Sequence, residues 1–590
     1  MAKNQDKKGK SAAVENGGID ISDELITAYA LENALLHGGK AKADAVLAKL
    51  FRHGLKKEAL DEARKRVEVI VKHVNGLSRE EQEKRFSGLA ALLPERKHER
   101  RLELDVTGVK QVVLRLAPFP SGPLHIGNAR PYLLNDYFAK KYGGRLLLVI
   151  DDTIGSEEKK IVEEAYKLIP EGLKWLDVRF EEPIIYKSDR LEIYYKYGEK
   201  LIEKGKAYVC FCNAEELRKN RERGIECEHR AYSIEKNLQE FRNMLEGKYG
   251  EGEAVLRIKT NMKHKNPAFR DRVIFRISAT QHPRLKNTEP VVWPMMEMAW
   301  AIDDYLLGIT HVIRGKELMI ETDMENYIFD IFGWPKPRFI HLGLLTIEGV
   351  KLSKSKSQEE IAKGVYFGWD DPRTWSLQSL RRRGFRPEAI REFCLSFGLN
   401  PSEVTVPLEV LYSFNRKYVE DSNRYFFIAN PILIKIENAP ELKASIPLHP
   451  NHPERGHRIL WSSNEFYISL DDYKEIRKAR EGSMFRLMNL FNFYKKAETF
   501  YFHSIELNKS LNARLIHWLP SAKHIAARVL MPNGEIVTGL LESNANIEPG
   551  QVVQFERFGF VKLDAIKRIK ADEANEKKSQ KVYEFWYLHN

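Results

Sequence analysis

The sequence predicts a multidomain α/β protein: a doubly wound, Rossmann-type domain interrupted by an inserted domain, preceded by a helical extension and followed by an all-β region. Three observations carry that expectation. Val112-Val-Leu-Arg-Leu116, a Pro/Gly-rich turn at Pro118–Asn128, a helically spaced stretch from Arg130 to Tyr142 and the apolar run Leu146–Ile150 together form a βαβ pattern. Between about 205 and 300 that rhythm breaks, and three of the four cysteines fall there. After about 420, short apolar runs such as Pro431–Ile436 and Gly550–Phe555 alternate with Pro, Asn and Gly turns.

The chain has 590 residues, 43% hydrophobic and 30% charged, with a formal net charge of +12. That length suits three to five domains, and the positive balance fits either a polyanionic partner or a solvated basic surface. Four cysteines do not make a disulfide framework. Residues 1–20, rich in Lys, Gly, Asn and Ser, have no apolar core of a signal peptide and read as a disordered tail, and no apolar run reaches membrane-spanning length. A cytosolic protein is expected.

Residues 21–104 read as helical. Val67, Ile70, Val71 and Val74 recur at helical spacing, Asn75-Gly76 ends that helix, and Ser78-Arg-Glu-Glu81 has capping-box spacing. The nucleotide domain is expected over 105–204 and 300–380. Its first loop, Pro118-Phe-Pro-Ser-Gly-Pro-Leu-His-Ile-Gly-Asn128, lies at the carboxyl end of a strand, where helix N-H groups favour an anion. His125 can donate to a phosphate and Gly127 admits a flat base; the alternative is a helix cap stiffened by proline. Asp151-Asp-Thr153 closes the second strand, suited to an ammonium group, a ribose hydroxyl or a helix N-cap.

Within the insert, 205–299, Cys210-Phe-Cys212 and Cys227-Glu-His229 offer three sulfurs and an imidazole for a tetrahedral zinc, the alternative being clustered reduced thiols. Cys394, in an apolar helical stretch, reads as core. Arg314 ends the strand Ile309–Arg314 and fits either a carboxylate of a ligand or a structural ion pair. The basic loop Val350–Lys356 carries lysines and serines that can close on a triphosphate and stabilise departing pyrophosphate. A helical connector is expected over 381–420, and β-structure over 421–590.

The pair Pro120-Ser-Gly-Pro-Leu-His-Ile-Gly-Asn128 and Lys351-Leu-Ser-Lys-Ser355 resembles the HIGH and KMSKS signatures of class I aminoacyl-tRNA synthetases. Leu114–Pro118, Asp151–Thr153 and Asp303–Arg314 are similar to the glutamyl and glutaminyl branch. The helical extension, Arg381–Pro387 and His449–Gly456 resemble the archaeal type of glutamyl enzyme, with similarity from about Ser22 onward.

That resemblance implies an ATP-dependent ligase with a Rossmann catalytic domain, an acceptor-stem insert and β-barrel anticodon-binding domains. His125, Lys351 and Lys354 would be catalytic. Pro118, Gly122, His125, Gly127, Asn128, Lys351, Ser353, Lys354 and Ser355 would hold ATP. Arg115, Ala117, Asp151, Met296 and Arg314 would hold glutamate, Asp151 taking the ammonium and Arg314 the side-chain carboxylate. Cys210, Cys212, Cys227 and His229 match a structural zinc site of some relatives, and magnesium accompanies the triphosphate.

The partners implied are tRNA(Glu), with tRNA(Gln) left open, and L-glutamate, in a monomer. Asn128, Phe119, Val149, Ile154 and Met296 depart from the family's pattern. Two alternatives stand beside the glutamyl enzyme: a glutaminyl enzyme, against which Arg314 speaks, and a catalytically weak tRNA-binding or regulatory homologue. Lys351–Ser355 speaks against the second.

Overall fold

The computed structural model describes residues 21–36, 39–53, 55, 59–93, 102–155, 160–286, 289, 291–350, 352–570 and 579–590. The tail expected over 1–20 lies outside them, as does Lys351. The chain divides into two compact units, residues 1–102 and 103–590.

In the first unit, α1 (Asp23–Leu36), α2 (Ala43–Leu50), α3 (Leu60–Val74) and α4 (Arg79–Leu89) enclose a core that includes Ile26, Leu31, Val46, Val67 and Val71. The capping box is present: Ser78 accepts from Glu81 N-H, and Glu81 accepts from Ser78 N-H. Buried Gln82 donates to Val74 O and Gly39 O, fastening α4 to the turn before it.

The second unit opens with the βαβ pattern of β1 (Val113–Leu116), α5 (Ile126–Lys141) and β2 (Arg145–Ile150). β1 and β2 are parallel, Val113 facing Arg145 and Leu116 facing Leu148. After α6 (Ala165–Trp175), β3 (Glu181–Tyr186) joins the far side of β2, also parallel. The chain then leaves the sheet through α7 (Leu191–Glu203).

The departure is a four-stranded antiparallel sheet, β4 (Ala207–Cys210), β5 (Val255–Ile258), β6 (Val273–Ser278) and β7 (Val291–Pro294), in sequence order. Helices α8 (Ala214–Arg223) and α9 (Ile234–Leu245) lie between β4 and β5. Phe241, Leu256 and Phe275 fill its core, which continues into Met298, Ile302 and Ile328 of the following helices.

α10 (Met296–Leu306) leads back to β8 (His311–Gly315), α11 (Met319–Phe332) and β9 (Arg338–Leu342), with β8 and β9 parallel. Thr310 N-H donates to Val113 O at 2.9 Å, setting β8 beside β1. The strands therefore run β3, β2, β1, β8, β9, and the chain reverses its winding between β1 and β8. A doubly wound sheet opens its ligand crevice at such a reversal, at the carboxyl ends of the strands.

β10 (Leu345–Ile347) and α12 (Lys354–Ala362) follow. Beyond the helices of the connector come two seven-stranded sheets. One packs around Phe466, Phe491 and Trp518. The other, around Phe555 and Phe585, pairs Phe427–Ala429 with Ile536–Glu542 and also holds Arg424–Tyr425 and Ser579–His589, the first and last strands of the region. Arg383, fully buried, donates to Tyr587 O and Leu588 O and ties the connector to the last strand.

Candidate active site

The first loop is pinned to its surroundings by backbone. Asp151 N-H donates to Pro118 O at 3.0 Å, and Leu377 N-H donates to Leu124 O at 2.8 Å. His125 bridges to Ser376, and Ile126 N-H donates to Trp375 O, so a segment 250 residues later lines the loop. Gly122 has φ 138° and abuts the indole of Trp369, where a Cβ would lie 2.7 Å from a ring carbon. Both the dihedral and the contact require glycine.

His125 makes no side-chain cap bond to α5, and its buried Nδ1 has no partner among the described residues. Burial, with Lys354 nearby, pushes its pKa down to about 3, so the imidazole is neutral. It offers a hydrogen bond, not a charge. Asn128 turns its side-chain oxygen toward His125 N-H at 3.5 Å.

The second loop meets the first. Lys354 Nζ donates to Gly122 O at 3.3 Å, and Leu352 covers Gly127, 2.7 Å from where its Cβ would be. Leu352, not a base, occupies that face in this structure. The basic stretch is only half loop: Ser353 caps α12 by accepting from Lys356 N-H, and Lys354 and Ser355 lie in the helix's first turn. Their orphan N-H groups and the Lys354 ammonium present positive potential at the crevice.

Across the crevice, three cations surround the buried indole of Trp300. Arg115 lies 5.2 Å, Lys187 5.0 Å and Arg314 4.8 Å from its centroid. Each is paired. Arg115 makes a two-pronged bond to Asp304, Nη2 to Oδ2 at 2.9 Å. Lys187, fully buried, sits 3.2 Å from Asp151, which also accepts from Thr153 Oγ1. Burial pulls the Lys187 ammonium below its ordinary value, against the pull of Asp151.

Arg314 Nη2 lies 2.7 Å from Glu325 and donates to Thr322 Oγ1. Arg314 thus has the structural ion pair that was one of its two expectations, yet its buried Nε and Nη1 have no partners among the described residues. Ala117 and Met296 are half-buried at the ends of β1 and the start of α10, and Phe119 is half-buried on the loop. Val149 packs with Val113, Leu147 and Val312 in an apolar cluster, and Ile154 is buried, so these positions contribute volume to the sheet and no charge.

In the insert, Cys210, Cys212, Cys227 and His229 converge with their ligand atoms within 4.8 Å of one another. Cys210 and Cys227 sulfurs are 3.8 Å apart, and Cys212 Sγ is 3.6 Å from His229 Nδ1. Zinc–sulfur bonds of about 2.3 Å in a tetrahedron separate sulfurs by about 3.8 Å, so the donor set fits zinc. The Cys210 hydrogen bond and the buried Arg257 guanidinium favour the thiolate at Cys227. A cavity of about 570 Å³ opens beside Cys212, with Arg218, Arg221, Arg276 and Met295 on its walls.

Sequence reasoning missed Lys187, Trp300, Thr322 and Glu325. Lys187 and Trp300 carry no pattern of their own. Glu325 left a trace: Glu321 and Glu325, four apart, fall on the face of α11 that buries Met324 and Ile328, and acids in an apolar stripe need a buried partner.

Residues 111–421 match the family described as tRNA synthetases class I (E and Q), catalytic domain. Residues 422–500 and 515–564 match two anti-codon binding domains of the same type. The glutamate–tRNA ligase of Pyrococcus furiosus is 44% identical over 571 residues, covering 93% of this chain and 98% of that protein. The glutamate–tRNA ligase of Methanothermobacter thermautotrophicus is 42% identical over 92% of this chain and 97% of its own. Among solved structures, a glutamate tRNA ligase from Elizabethkingia meningosepticum aligns over 53% of this chain and 70% of that one, at 24% identity and a TM-score of 0.38.

Proposed function

The chain belongs to the class I tRNA synthetases of the E and Q type, and from that premise we propose that it is a glutamate–tRNA ligase acting with ATP. The glutamate α-carboxylate attacks the α-phosphorus of ATP, giving glutamyl-adenylate and pyrophosphate. The 2'-hydroxyl of the terminal adenosine of tRNA then attacks the acyl carbon, forming the ester as AMP leaves with its phosphate oxygen and the hydroxyl proton passes to that phosphate or to solvent. No protein nucleophile is needed; catalysis is positioning and charge stabilisation.

His125, as a neutral donor, and Lys354, at the start of α12, face the triphosphate. Lys354 already touches the first loop through Gly122 O, so the clamp needs little movement to close. Pro118, Gly122, Gly127, Asn128, Ser353 and Ser355 shape the same side, with Leu352 yielding Gly127 to the adenine. Lys351 completes the clamp from outside the described residues. Magnesium bound with the triphosphate would screen its charge beside Lys354.

Arg115, Ala117, Asp151, Met296 and Arg314 form the glutamate side. Arg314 carries the choice of substrate: its buried Nε and Nη1 lack partners among the described residues, and a carboxylate meets the guanidinium with acceptors and a compensating charge, whereas an amide also turns an NH2 donor toward it and brings no charge. Zinc held by Cys210, Cys212, Cys227 and His229 would tie β4 to the turn after α8, a structural role. Protein purified without added metal should hold about one equivalent of zinc; less than about half, with thiols intact, would exclude the site.

The net positive charge serves tRNA through phosphate contacts. Aminoacylation of purified tRNA(Glu) and tRNA(Gln) with labelled glutamate and glutamine tests the whole reading. Glutamate on tRNA(Glu) is expected; glutamine alone would make the chain a glutaminyl enzyme, and no charging of either would make it a tRNA-binding homologue.

A further inference from the structure

Glu325 is fully buried on α11 and has no part in the mechanism above. Its carboxylate pairs with Arg314 Nη2 through Oε1 at 2.7 Å, and Oε2 has no hydrogen-bond partner among the described residues. Asp304, by contrast, accepts two bonds from Arg115, and Asp151 accepts from Thr153 and neighbours Lys187. Of the three acids in the pocket, Glu325 is the least stabilised as an anion.

The pocket's charges balance. Arg115, Lys187 and Arg314 stand against Asp304, Asp151 and Glu325. An amino acid with a neutral side chain leaves that balance unchanged; glutamate adds one negative charge. An uncompensated charge in a closed pocket costs several kcal/mol, and the pocket sheds it most easily where an anion is worst held.

We propose that Glu325 is a positioning residue that couples glutamate binding to a proton: it neutralises Arg314 in the empty pocket, and takes up one proton from solvent when the side-chain carboxylate of glutamate settles on Arg314 Nη1, which has no partner among the described residues. The inference rests on the glutamate reading above. Charged groups face Glu325 from three elements, Arg314 on β8, Arg115 on β1 and Asp304 on α10. His341 on β9 reaches the same corner through Thr322. Burial comes first among the causes and, with Asp304 against the two arginines, raises Glu325 to about 7, so it can accept a proton near neutrality.

Proton uptake makes glutamate binding weaken with pH. In ATP–pyrophosphate exchange with tRNA(Glu) present, KM for glutamate should be flat below about pH 7 and rise by about tenfold per unit from there to about pH 8.5. Glu325→Gln, which has no charge to shed, should abolish the slope and lower KM at the upper end by about tenfold or more, with kcat changed less. Calorimetry of glutamate binding to the wild-type enzyme and tRNA, in two buffers of different ionisation enthalpy at about pH 8, should count close to one proton taken up.

Parallel pH profiles for wild type and Glu325→Gln, or no proton uptake, would overturn the role of Glu325 while leaving the glutamate ligase intact. Absence of exchange with glutamate in the wild type at every pH would overturn both. The calorimetric count does not depend on the variant folding.

Discussion

On the side of the crevice proposed for the nucleotide, His125 keeps a buried nitrogen without a partner among the described residues, and Lys354 donates to Gly122 O of the opposite loop. On the amino-acid side, Arg115, Lys187 and Arg314 are each already paired with an acid inside the protein. The first side gains partners when its ligand binds; the second must exchange them. The reason is dielectric. A loop and a helix start at the surface can leave charge to water, whereas charges packed around Trp300 must be neutralised by the protein itself.

The largest effect expected from breaking this contrast is on stability. Arg115→Met leaves Asp304 fully buried without its cation, a loss of about 3–5 kcal/mol, seen as a fall in Tm of about 3–5 °C for a unit of this size. Lys354→Ala should leave Tm unchanged within about 1 °C, since its bond to Gly122 O lies at the crevice and its removal opens no cavity in the core. Equal losses in thermal unfolding would erase the distinction between the two sides.

Next comes chemistry. Lys354→Ala should slow adenylate formation by about two to three orders of magnitude, the scale of one well-aimed donor, while KM for glutamate stays within about threefold. Pre-steady-state activation at the wild-type rate would remove Lys354 from the clamp.

A smaller change probes the aromatic at the centre of the cations. Trp300→Phe keeps a ring but weakens its attraction for Arg115, Lys187 and Arg314, by about 1 kcal/mol. Glutamate KM should rise roughly fivefold, with ATP KM unaffected; a change confined to ATP would place Trp300 on the other side of the comparison.

The smallest effect concerns a control in the distal sheet. Glu542 is buried beside Arg458, and burial raises it to about 7 from an ordinary 4.5. Arg458 bonds both Glu542 and Glu556, so its acids are saturated. A raised carboxyl contributes stability that is fully present below its ordinary value and is lost as pH rises through the folded one. Tm should therefore decline between about pH 4.5 and 7, and Glu542→Gln should flatten that contribution without altering the pH profile of glutamate KM. A shifted KM profile would mean that Glu325 is not the group that titrates with substrate.

Much of the architecture was legible because it is local. The βαβ unit follows from the alternation of β-branched runs with a helically spaced one, and the Ser78 capping box from two residues three apart. The four zinc-ligand candidates converge because each sulfur is matched with a partner 17 positions on, Cys210 with Cys227 and Cys212 with His229. The basic loop was legible as chemistry but not as structure, since Ser353 turns half of it into the start of α12.

The sequence alone determined the order of elements, the family, and the residue types brought to the crevice, because periodicity, capping and motif spacing act over a few residues. Only the tertiary structure decided how the charges pair. Lys187 follows β3, Trp300 and Asp304 lie on α10, Glu325 on α11, and Arg115 and Arg314 on separate strands. An ion pair in a buried site depends on separations of a few ångströms and on the exclusion of water, and neither is set until those elements pack together.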